Sequence, residues 1–104
     1  MKIVVDAMGG DHAPGSIIEG AVMAVKECDV EIALTGLSGL IEAELSKYDG
    51  WMDLPIEVVH AEDVVEMHES PSKVLRGKKK SSIKVGLDLV NDGHASAFVS
   101  AGNT

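Results

Sequence analysis

The chain has 104 residues, a formal net charge of −8, 45% apolar residues and only 3% aromatic residues. That length admits one domain with one modest core, since a domain of this size buries roughly 60–70% of the surface its unfolded chain exposes. The supply of Ile, Val and Leu excludes a disordered chain, the acidity excludes a general binder of nucleic acid, and the single cysteine, Cys28, excludes a disulfide scaffold and suits a reducing cytosol.

The elements follow in chain order. Lys2-Ile-Val-Val-Asp6 is β-branched and ends before a glycine pair, which predicts a buried parallel strand running into a turn. The apolar stretch Ile3-Val4-Val5 stops at Asp6, too soon for a signal peptide, and no apolar run reaches the ~18 residues of a membrane span. Pro14 suits the first residue of a helix, where a missing N–H costs nothing. Ile17, Ile18, Ala21, Val22, Val25 and Cys28 then recur at helical spacing and predict a helix over 14–28. Cys28 is expected on its apolar face, as a core cysteine and not a nucleophile.

Val30 to Thr35 reads as a second strand closed by Gly36, and Leu37, Leu40, Ile41, Leu45 and Tyr48 as the stripe of a second helix ended by Asp49-Gly50. Pro55 to His60 reads as a third strand. The acidic stretch 61–70 is expected to be irregular with a short helical turn. Ser70-Pro71 then starts a short helix that stops at Gly77. Residues 83–90 fit either period: Ile83, Val85, Leu87 and Leu89 alternate as in a strand, whereas Ile83, Leu87 and Val90 fit a helix. Serines at 81 and 82 and the stop Asn91-Asp92-Gly93 favour the helix. Ser96 to Ser100 is a fourth strand, followed by another glycine turn.

Strands alternating with helices imply a doubly wound, mostly parallel α/β sheet with helices on both faces. There is no internal repeat or linker, so residues 1–104 form a single segment. A fourth strand running into a turn at the chain's end predicts the front part of a longer protein.

The candidate chemistry gathers at the strand ends. Asp6-Ala-Met-Gly-Gly-Asp-His-Ala-Pro14 lies between a strand and a helix, at the sheet edge where open α/β sheets bind ligands. Gly9 and Gly10 let the backbone approach an anion, and the helix start offers N–H groups. Asp11 and His12 belong to the same loop, and His12 can donate to phosphate or move a proton near neutral pH. The plainer alternative is a tight turn. Asp6 and Asp11 lack a third ligand, and His60, His68 and His94 lack zinc spacing, so neither metal nor cofactor is expected. The dinucleotide fingerprint G-x-G-x-x-G and the serine elbow G-x-S-x-G are both absent. Lys73, Arg76, Lys78, Lys79 and Lys80 form a basic run that reads either as a clamp for an anionic ligand or acidic partner, or as a solvated loop. Gly102, Asn103 and Thr104 repeat the strand-then-glycine pattern at the same edge.

Three motifs in this order and spacing, Val5-Asp-Ala-Met-Gly-Gly-Asp-His-Ala-Pro14, Ser70-Pro-Ser-Lys-Val-Leu-Arg76 and Phe98-Val-Ser-Ala-Gly-Asn-Thr104, strongly resemble the bacterial phosphate acyltransferases of phospholipid synthesis. The resemblance covers the whole chain and implies the N-terminal third of such an enzyme. It implies a fold like isocitrate and isopropylmalate dehydrogenases and a transferase that makes acyl phosphate from acyl-acyl carrier protein and inorganic phosphate. It further implies a homodimer, a cytoplasmic location and peripheral membrane contact through the absent C-terminal part. Carried over motif by motif, Asp6, Gly9, Gly10, Asp11 and His12 would line the cleft, with Lys73, Arg76, Gly102, Asn103 and Thr104 near it. His12, Asp11 and Lys73 would be the catalytic candidates, and Lys78, Lys79 and Lys80 would dock the carrier. This stretch alone is expected to be inactive. Two alternatives stay open: a small-acyl phosphotransacetylase acting on acyl-coenzyme A, and a non-catalytic α/β module.

Overall fold

The computed structural model describes residues 1–62 and 81–101. The order is β1 (Lys2–Asp6), α1 (Gly15–Glu27), β2 (Glu31–Gly36), α2 (Ser38–Leu45), a 3₁₀ turn (Trp51–Asp53), β3 (Ile56–His60), α3 (Ser82–Asn91) and β4 (Ala97–Val99). All pairings are parallel, and the sheet order is β3-β2-β1-β4. The expected short helix over 70–77 lies outside the described residues.

Strand pleating assigns the two faces. Ile32 and Leu34 of β2, with Val5, Ile56 and Val58 of its neighbours, pack against Ile18, Ala21, Val22 and Val25 of α1 and Ile41 and Leu45 of α2. The alternate residues Val4 and Phe98 meet α3 on the opposite face. A Cβ at Gly86 would collide with the Phe98 ring and lie 3.2 Å from Val4 Cγ1. Glycine at 86 therefore lets the helix backbone lie directly on the sheet.

The placement of α3 follows from strand order. The chain moves from β1 to β2 to β3 in one direction and then returns to the other side of β1. Right-handed crossovers put the helices of the outward and return journeys on opposite faces. The ends of β1 and β4 thus flank the topological switch point, where the connections diverge and leave a crevice.

Helix 83–90, ambiguous by period, is settled by its caps. Ser81 Oγ accepts the Lys84 N–H at 3.1 Å. At the other end Gly93 N–H bonds Val90 O at 3.1 Å and His94 N–H bonds Leu89 O at 2.9 Å, the paired closure of a Schellman motif.

Three local expectations need correction. Cys28 is exposed, not buried in the core. It is the C-cap residue of α1 with φ −122° and ψ 155°, so the helical phase no longer carries its side chain inward. Pro14 precedes α1 as its cap residue and is not the first helical residue. In α2, Leu37 precedes the helix and Leu40 is 49% exposed, leaving Ile41 and Leu45 to fill the core. Tyr48 and Trp51 then pack against that core from the turn that follows.

Candidate anion-binding edge at the switch point

The site begins with Asp6. As the last residue of β1 it faces α3's side of the sheet, alternating with Val5, and it is 1% exposed. Its carboxylate makes two bonds. Oδ1 accepts the Met8 N–H at 3.0 Å, and Oδ2 accepts the Ser100 hydroxyl at 2.8 Å. The first folds the glycine loop back over its own strand. The second ties that loop to the end of β4, across 94 positions of sequence. Asp6 is thereby a bracket across the switch point, its oxygens engaged with protein donors.

Beyond the bracket, Ala7 N–H bonds Thr35 O at 2.9 Å and extends the ladder by one residue. Gly10 has φ +96°, a backbone conformation costly for any residue with a Cβ. A Cβ there would also stand 3.5 Å from Ala101 Cβ, so the loops after β1 and β4 touch at this glycine. Gly9 is buried and Gly10 half-buried, whereas Asp11 and His12 are exposed. His12 O accepts the Ser16 N–H at 3.1 Å, which satisfies one donor of the first α1 turn from within the loop. The N–H groups of Gly10, Asp11 and His12 find no acceptor among the described residues, whereas the Gly9 N–H closes the hydrogen-bonded turn over Ala7 and Met8. Successive backbone donors beside a positive-φ glycine are a geometry that suits an anion.

Next to it, the buried Thr35 donates its hydroxyl to Ser82 O at 3.1 Å, anchoring the start of α3 above the end of β2. At the far side of the edge His60 Nδ1 accepts the Ser38 N–H at 3.2 Å and lies 3.0 Å from Ser38 Oγ. Since an amide can only donate, the ring proton of neutral His60 resides on Nε2. Leu37, the residue at the α2 cap position, has no side-chain acceptor, and His60 supplies it from another strand.

The structure thus brings Asp6, Gly9, Gly10, Asp11 and His12 to one edge. Lys73, Arg76, Lys78, Lys79, Lys80, Gly102, Asn103 and Thr104 lie outside the described residues. Sequence reasoning did not single out Thr35, Ser82, Ser100 or the His60–Ser38 pair. Only the serine doublet at 81–82 had a local signal, as a helix start. Among the described residues no group of three His, Cys, Asp or Glu side chains converges as a metal site would require. A recess of about 200 Å³ lined by Lys2, Val4, Ala33, Glu57, Leu89 and His94 lies at the opposite end of the strands, away from the Gly9-Gly10 loop.

A doubly wound parallel sheet with a glycine loop at its switch point defines a protein of the open α/β class, whose ligands bind at that edge of the sheet. More particularly, residues 1–104 match the profile of the family described as "Fatty acid synthesis protein", and the chain belongs to that family. Over 104 residues it is 48% identical to a phosphate acyltransferase of Clostridioides difficile and 52% identical to that of Alkaliphilus oremlandii. It is also 48% identical over 105 residues to the phosphate acyltransferase of Halothermothrix orenii. Each alignment spans 100% of this chain but only 30–31% of the relative, so the chain covers about three-tenths of their length. No helix among the described residues is long and apolar enough to cross a membrane.

Proposed function

We propose that this chain supplies the phosphate-binding edge of an acyltransferase that converts acyl-acyl carrier protein and inorganic phosphate into acyl phosphate and the free carrier thiol. The observation that carries the reading is the loop Gly9-Gly10-Asp11-His12, whose Gly10, Asp11 and His12 amides find no acceptor among the described residues at the switch point. Its relatives' name supports the same reaction class. A phosphate oxygen attacks the thioester carbonyl, the C–S bond breaks, and the thiolate leaves. A thiol with a pKa of about 8.5 departs without a strong general acid, so the protein's tasks are to hold the dianion and stabilise the oxyanion. Backbone donors at Gly10 and Asp11 hold the phosphate where Gly9 and Gly10 let it approach, His12 donates a further hydrogen bond, and Asp6 keeps the two loops in register. A helix terminus contributes only ~0.3–1 kcal/mol to an exposed anion, so Lys73, Arg76, Gly102, Asn103 and Thr104 add to it.

Lys78, Lys79 and Lys80 dock the acidic carrier. The enzyme works as a cytoplasmic homodimer with peripheral membrane contact through residues beyond this chain, and residues 1–104 alone do not turn over. The test is phosphate-dependent release of carrier thiol by the full-length protein, with acyl-acyl carrier protein and acyl-coenzyme A in parallel. Release from the carrier protein is expected. Exclusive use of coenzyme A would favour the small-acyl reading, and no release from either would overturn both. His12→Ala alters an exposed side chain, so it should raise the KM for phosphate while the fold survives. An unchanged KM would remove His12 from the site.

A further inference from the structure

The first turn of α3 carries a feature that the proposed reaction has not used. Ser82 is 1% exposed, and its Oγ is buried without a hydrogen-bond partner among the described residues. A buried hydroxyl left unpaired is costly, and native proteins seldom keep one without reason. The polar oxygens beside it are engaged. Ser81 Oγ is taken by Lys84 N–H, Ser82 O by the Thr35 hydroxyl, and Ser81 O by Val85 N–H at 2.9 Å. Helical Cβ atoms tilt toward the N-terminus, so the Ser82 hydroxyl belongs to the same end as the first-turn N–H groups, which have no intrahelical acceptor. Ser82 also sits at the ligand edge, because Thr35, which holds its carbonyl, pairs in register with Asp6 on the adjacent strand, about 5 Å away.

We propose that the α3 N-terminus is a phosphate subsite in which Ser82 Oγ donates to an oxygen of a phosphate group, alongside the N–H of Ile83. The helix start favours the negative charge, the hydroxyl gains the partner it lacks, and Thr35 holds the turn in place. This deepens the proposed function by placing a second set of donors beside the glycine loop. Two sources share the chemistry: free inorganic phosphate, and the phosphodiester of a carrier's phosphopantetheine arm.

The test uses the full-length protein and reads binding as well as turnover. Inorganic phosphate and holo-carrier protein, which holds its phosphopantetheine as a phosphodiester, are titrated separately against wild type, Ser82→Ala and Ser82→Thr by calorimetry and thermal shift. Ser82→Ala should weaken binding of one of the two at least about tenfold, as expected for a lost hydrogen bond to a charged group. The same variant should melt no lower than wild type without ligand, since an unpaired hydroxyl has been removed. Ser82→Thr keeps the hydroxyl and should bind within about threefold of wild type. Loss confined to inorganic phosphate identifies the substrate dianion, and loss confined to holo-carrier protein identifies the carrier arm. Equal affinity of wild type and Ser82→Ala for both probes, or no binding of either by wild type, would overturn the subsite. Failure of thiol release with Ser82-dependent phosphate binding intact would instead overturn the proposed reaction and leave the subsite standing.

Discussion

Gly86 and Gly20 are both glycines inside helices, and the structure assigns the same substitution opposite signs at the two positions. Alanine in a helix interior is favoured over glycine by about 0.8–1 kcal/mol. At Gly20, exposed in α1, an added Cβ meets nothing within 4 Å, so Gly20→Ala should stabilise the protein by roughly that amount. At Gly86 the new methyl would overlap the Phe98 ring, with Cδ1 at 2.5 Å, and crowd Val4 Cγ1 at 3.2 Å. Neither neighbour yields easily. Val4 is fully buried, and Val4 and Phe98 are register partners on paired strands. Overpacking of this kind costs ~1–3 kcal/mol, which exceeds the propensity gain across most of that range and gives a net loss of up to about 2 kcal/mol. The helix can relieve the overlap only by withdrawing from the sheet. That would stretch the Thr35–Ser82 bond, now 3.1 Å, and displace the helix start from the ligand edge. Gly86→Ala in the full-length protein should therefore lower both the urea midpoint and the affinity for phosphate, and adding Phe98→Leu should recover part of each. A midpoint for Gly86→Ala equal to or above wild type would refute the packing of α3 described above.

His60→Ala removes the cross-strand acceptor for Ser38 N–H and should cost about 0.5–2 kcal/mol, the usual range for a lost helix cap, as read by denaturant unfolding. His60→Asn, which restores an acceptor, should recover most of it, and equal stability of all three proteins would mean that solvent caps α2 equally well. Cys28 is exposed, so it should react with a thiol reagent in the native protein without denaturant, while Cys28→Ala keeps most of the turnover. A hundredfold loss of turnover with the fold intact would make it catalytic after all. Replacing Lys78, Lys79 and Lys80 with Glu should raise the KM for acyl-acyl carrier protein at low salt, with the effect fading as ionic strength shortens the ~8–10 Å screening length. An unchanged KM at low salt would assign this run to a solvated loop.

Sequence alone was sufficient wherever the governing interactions are local. The β-branched run Ile3-Val4-Val5, the serine cap before Ile83 and the glycine closing α3 act through bonds a few residues apart, so their elements are legible in the order of side chains. The glycine loop was legible for the same reason: its strand, its two glycines and Pro14 are contiguous. Phase errors arose where a helix stops, as at Cys28, because periodicity holds only while the backbone stays helical. What tertiary structure decided was everything that depends on strand order. Asp6 gives no local sign that its partner is Ser100, and Thr35 gives none that it holds Ser82. Those pairs exist because β4 returns beside β1 and carries α3 to the opposite face. Register then sets Asp6 and Thr35 side by side beneath the start of α3. Many chain paths satisfy the same local propensities, and only simultaneous burial of both sheet faces selects among them.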